Sequence, residues 1–131
     1  MARSQDFLDR LDMFETALSR LEEALSLAEN EVVRDASIQR FEFTFELAWK
    51  SMRLWLRERG IDVRNPRDTL RAAFEQGLIE DAAEWSDLQE KRNLTSHTYD
   101  RELAETVYRY LKAHALPLFR STLERMKADD G

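Results

Sequence analysis

Residues 6–28 read DFLDRLDMFETALSRLEEALSLA. Phe7, Leu11, Phe14, Leu18, Leu21, Leu25 and Ala28 recur there at intervals of 4, 3, 4, 3, 4 and 3. A helix advances about 100° per residue, so this spacing lines the apolar side chains along one stripe and leaves the charged ones outside. The pattern predicts a helix from Ser4 to about Asn30, packed nearly parallel to its neighbours.

The next series, Ile38, Phe41, Phe45, Ala48, Met52 and Trp55, repeats the same rhythm and stops at Gly60. Glycine suits the left-handed position just past a helix end. Residues 61–66 make a connector in which Asn65 can cap and Pro66 can occupy a first helical turn. A short third helix is expected over Leu70, Ala73 and Phe74, ending at Gly77. Leu78, Trp85 and Leu88 mark a fourth, opening near Asp81. Asp100 can cap a last helix carrying Leu103, Val107, Tyr108 and Leu111, then Leu118, to about Met126, with Pro117 kinking or interrupting it. The tail from about Lys127 is expected to fray. The predicted fold is all-α: one domain over residues 1–131, an up-and-down antiparallel bundle of four to five helices.

Composition agrees. Three glycines and two prolines are few, and 43% hydrophobic residues suffice for one core in 131 residues. There is no cysteine, so disulfides, zinc–thiolate sites and thiol nucleophiles are excluded. Met1 to Asp6 lead into no apolar run, and no stretch approaches a membrane-spanning length. A cytoplasmic chain with neither leader nor membrane contact is expected. With 20 Lys and Arg against 26 Asp and Glu, the net charge is -6. A surface of that sign repels nucleic acid on average, so DNA is not an expected partner and any RNA contact must be local.

One segment breaks the amphipathic pattern. Arg92-Asn93-Leu94-Thr95-Ser96-His97-Thr98-Tyr99 holds a single aliphatic residue. Thr95, Ser96 and Thr98 compete for backbone hydrogen bonds, so the helix is expected to end or distort here. Were helix geometry to persist, Asn93 and His97 would share a face at i, i+4. Arginine donates a permanent planar fork to phosphate and histidine exchanges protons near neutral pH. Together they suit metal-independent cleavage of an RNA phosphodiester, with His97 deprotonating the 2'-hydroxyl and Arg92 stabilising charge on the phosphorus oxygens. A second acid is missing, and a twofold homodimer would supply it. The residues also allow a structural reading, in which they cap carbonyls or pair with carboxylates such as Asp100.

Elsewhere, Glu42 and Glu46 stand one turn apart and call for a cation. Lys50, another turn on, offers one for Glu46, and the alternative is a role lining a groove or partner surface. Phe43 and Trp49 fall off the main seam, suggesting a second buried face of the kind found at an interface. A metal site is not expected, because His97 and His114 are the only histidines and neither has carboxylate–histidine spacing on one helix. No cofactor is expected either.

Arg92-x4-His97-x-Tyr99, with Asn93 after the arginine, resembles the R-x4-H-x-Y motif of HEPN proteins. Phe41-Glu42-Phe43-Thr44-Phe45-Glu46-Leu47-Ala48-Trp49-Lys50, then Pro66-Arg67, then Trp85, resemble the nucleotidyltransferase substrate-binding branch of that family. The likeness runs from roughly Phe7 to Leu111. It implies a homodimeric bundle that associates with a small minimal nucleotidyltransferase in a two-component, often toxin–antitoxin, system. It further implies Arg92 and His97 as a composite ribonuclease site across the dimer, supported by Asn93 and Ser96, with Tyr99 open to AMPylation by the partner. Other members of the branch are substrate-binding subunits, for which no cleavage is implied.

Overall fold

The Oγ of Ser4 accepts a hydrogen bond from the Phe7 amide, and with that cap the first helix opens. The computed structural model describes residues 3–97 and 99–128. Helix α1 spans Gln5–Ser26 and α2 spans Glu31–Arg57. α1 ends earlier than its apolar rhythm suggests, and Ala28 is exposed. Leu27 is already extended, and Asn30 caps α2 by accepting from the Val33 amide, so Ala28 falls in the reversal between two antiparallel helices.

Asn65 caps α3, Pro66–Glu75, with proline in its first turn, and Asp81 caps α4, Ala82–Leu94. Gly60 and Gly77 both take positive φ just beyond the ends of α2 and α3, where a side chain would be strained. Phe74, expected on the apolar face of α3, is exposed, and burial passes instead to Thr69, Leu70 and Ala73. Leu78, assigned to the fourth helix, is buried in the turn before it. After α4 the chain tightens into a 3-10 turn, Thr95–His97, and Asp100 caps α5, Arg101–Tyr110. A π-helical segment, Leu111–Ala115, joins α5 to α6, Leu116–Ala128. The interruption expected from Pro117 thus lies in the turn before it, where the wider winding accommodates a residue with no backbone donor. Lys127 and Ala128, placed in a fraying tail, are still helical, whereas residues 129–131 lie outside the described residues.

α1 and α2 form the most extensive pair, α6 returns along α1, and α4 and α5 lie against α2. The helices meet at Phe119 of α6. Its ring centroid lies 6.0 Å from Phe14 of α1, 6.1 Å from Phe41 of α2 and 5.9 Å from Trp85 of α4. The Phe14 and Trp85 contacts are edge-on, the arrangement that aromatic quadrupoles favour. Around this cluster the two seams read from sequence are buried, Ala28 excepted. No helix among the described residues is long and apolar enough to cross a membrane.

Where α4 meets the α5 end, the Lys91 ammonium sits 4.7 Å from the centre of the Tyr110 ring, and Tyr110 in turn lies 5.2 Å from the His114 ring. Burial, then the nearby carboxylates of Asp87 and Glu84, push the Tyr110 phenol up to about 12.

Two outcomes follow from this packing. Phe119→Ala is expected to lower the unfolding free energy by about 3–5 kcal/mol in urea titrations followed by helical circular dichroism, because it removes contacts with three helices at once. Stability is expected to fall as pH rises from about 10 toward 12, because the unfolded chain ionises Tyr110 from its ordinary value of 10.0 while the folded chain keeps it protonated to about 12. Tyr110→Phe should flatten that part of the pH profile.

Candidate functional site

On α2, Glu42, Glu46 and Trp49 stand at i, i+4 and i+7, which sets them on one stripe facing α4. On α4, Lys91 and Arg92 occupy the last turn, where positive charge is favoured by the helix dipole. The two stripes meet at the Arg92 guanidinium. Its Nη1 lies 3.6 Å from Glu42 Oε2 and its Nη2 3.5 Å from Glu46 Oε1. Nη1 also donates to Thr95 Oγ1 at 3.1 Å, while the Thr95 hydroxyl donates back to the Arg92 carbonyl at 2.7 Å. The second Glu46 oxygen, Oε2, accepts from the Trp49 indole Nε1 at 3.1 Å. Arg92 is thus tied to α2 and to the turn that ends its own helix.

This corrects three expectations. The cation of the Glu42–Glu46 pair is Arg92, so Lys50, half-buried on α2, is not the counterion read for Glu46. Trp49 belongs to the chain's own core and is 7% exposed, with its indole N–H donating to Glu46. Only Phe43 of the off-seam pair is left exposed. Asp100 accepts from the Glu102 and Leu103 amides as a helix cap, and the carboxylates that pair with Arg92 come from α2.

The rest of the segment is more open. Asn93 and Ser96 are exposed, and Ser96 Oγ donates to the Asn93 carbonyl at 3.0 Å. The 3-10 turn removes the i, i+4 relation between Asn93 and His97. His97 is exposed, and its ring lies 6.1 Å from that of Tyr99 in an edge-on arrangement. Tyr99 is 87% exposed, the most solvated of the large hydrophobic side chains described. Thr98, assigned a part in ending the helix, lies outside the described residues. The stretch from Arg92 to Tyr99 therefore carries an anchored arginine before the turn and an accessible imidazole and phenol at and after its close. What sequence reasoning missed is the Trp49 to Glu46 bond. Its one signal was a tryptophan three residues after a glutamate.

Comparison with known proteins adds a family and three relatives. Residues 9–128 match the model of the family described as nucleotidyltransferase substrate binding protein like. A Haemophilus influenzae protein described as a probable ribonuclease HepT is 42% identical over 77 residues, 55% of this chain and 53% of that protein. The chain thus spans about half the length of that curated relative. A crystal structure of a Thermus thermophilus protein superposes with a TM-score of 0.82 at 39% identity, covering 88% of this chain and 99% of that one. A tri-AMPylated Shewanella oneidensis HEPN toxin, in complex with its MNT antitoxin, shares the fold with a TM-score of 0.78 at 14% identity, over 96% and 99% of the two chains.

Proposed function

The chain belongs to the nucleotidyltransferase substrate-binding-protein-like family, and on that premise we propose that it is the HEPN-type subunit of a two-component system, a homodimeric, metal-independent ribonuclease whose partner is a minimal nucleotidyltransferase. The observation that carries the reading is the pairing, across one short turn, of an anchored Arg92 with an exposed His97. Arg92 faces a phosphate, and His97 takes the proton of the ribose 2'-hydroxyl. The 2'-oxygen then bonds to phosphorus, the bond to the 5'-oxygen breaks, and a second acid protonates the leaving oxygen. A second copy of the chain supplies that acid as its own His97. Its Arg92 also adds positive charge where one chain holds two carboxylates around one guanidinium. The probable ribonuclease of H. influenzae supports this assignment.

Tyr99 has a separate role in the same reading. It stands almost fully in solvent beside His97, so an external enzyme can reach its hydroxyl, as a nucleotidyltransferase transferring AMP must. An added phosphate and nucleotide there block the groove by charge and bulk. The S. oneidensis toxin, tri-AMPylated and bound to its antitoxin, motivates this step.

A second reading is favoured by the excess of carboxylate at Arg92: a non-catalytic subunit that binds nucleotide or another substrate for its partner. The two part in one assay, incubation of RNA with purified protein in excess chelator. The ribonuclease reading expects cleavage by wild type and its loss, by about a hundredfold or more, in His97→Ala with the oligomer intact. A fully active His97→Ala sinks it, and a wild type that binds RNA without cutting it favours the second reading. For Tyr99, co-expression with a minimal nucleotidyltransferase of the proposed partner class is expected to give an adenylyl mass increment that disappears in Tyr99→Phe.

A further inference from the structure

Arg92 is held in an unusual way. An arginine side chain carries five N–H donors, yet among the described residues this one makes a single hydrogen bond, to Thr95 Oγ1. Its contacts with Glu42 and Glu46, at 3.6 and 3.5 Å, are ion pairs too long to be well-formed hydrogen bonds. Its Nε is buried without a partner. A carboxylate free to turn would close on the guanidinium as a bidentate fork and use those donors up. Glu46 is not free to turn, because the buried Trp49 indole holds its other oxygen at 3.1 Å.

We infer that Glu42 and Glu46 are positioning residues for Arg92: they fix its guanidinium by charge, from a distance that leaves donors on its two terminal nitrogens unspent for a phosphate ester. The carboxylates have a second effect that follows from their sign. An incoming phosphate meets ordered donors and also two negative charges one turn apart. They therefore weaken ground-state binding while improving the geometry of the bound complex. Neutral isosteres at these positions should move binding and turnover in opposite directions, which a merely structural role does not do.

The turnover part of this inference rests on the ribonuclease reading, whereas the binding and mobility parts do not. The test uses the full chain as wild type, Glu42→Gln and Glu46→Gln, each with and without Arg92→Ala, and with melting temperatures checked. The probe is a fluorescein-labelled single-stranded RNA oligonucleotide, titrated by anisotropy at fixed low salt in chelator and followed for cleavage at saturation. Glu46→Gln is expected to lower Kd by about threefold and to slow cleavage by about tenfold or more, with the gain in affinity lost when Arg92 is alanine. Binding and cleavage worsening together, neither changing, or an affinity gain that survives Arg92→Ala would each overturn the inference.

A wild type that binds but does not cleave removes the ribonuclease reading and leaves the Arg92-dependent gain in affinity to decide this one. Nitrogen-15 relaxation of the Arg92 Nε–H group gives a readout that needs no RNA. Restricted motion is expected in wild type and freer motion in the combined Glu42→Gln, Glu46→Gln variant. Equal mobility in the two overturns the inference whatever the RNA does.

Discussion

Phe119 is the point through which the helices of this chain agree on their positions. It comes from the last helix, and its ring touches aromatic rings from the first, second and fourth. Aromatic contacts of this kind are directional as well as apolar, so they set relative depth and rotation in addition to excluding water. The site depends on that registration. Glu42 and Glu46 reach Arg92 only because α2 and α4 lie side by side at one height, with Phe41 and Trp85 of those same helices both against Phe119.

Much of the fold was legible in the sequence because the seams are long. Two runs of apolar residues spaced by threes and fours admit no reading but helix, and the caps at Asn65, Asp81 and Asp100 are short polar side chains standing just before the three shorter helices that follow. The misjudgements sit where local pattern yields to a neighbour. The stripe of α1 runs on to Ala28, but Asn30 has already begun the next helix. Phe74 fits the face of its own short helix, yet lies beyond the edge of what the bundle covers.

The candidate site was legible as a list of residues and not as an arrangement. Polarity concentrated between Arg92 and Tyr99 marks the segment without help from the fold. That Glu42 and Glu46, about fifty residues earlier, answer to Arg92 is a tertiary fact that helix spacing cannot supply. Spacing offered Lys50 because it lies one turn away on the same helix. The fold chose the cation across the helix pair instead. Trp49 shows the same limit: it lies off the seam of its own helix, yet the folded core buries it.

The π segment at Leu111–Ala115 bears on all of this through phase. Two successive steps of four residues drift by about 80° around an ordinary α-helix, which would carry Phe119 off the line begun by Leu111 and Ala115. A π turn holds more residues per revolution and takes up part of that drift. Leu111, Ala115 and Phe119 are all fully buried. The segment acts as a rotational offset built into the last rod of the bundle, and a single-residue deletion within it would turn everything downstream. Through Phe119, the winding of these five residues bears on whether Arg92 meets its two carboxylates.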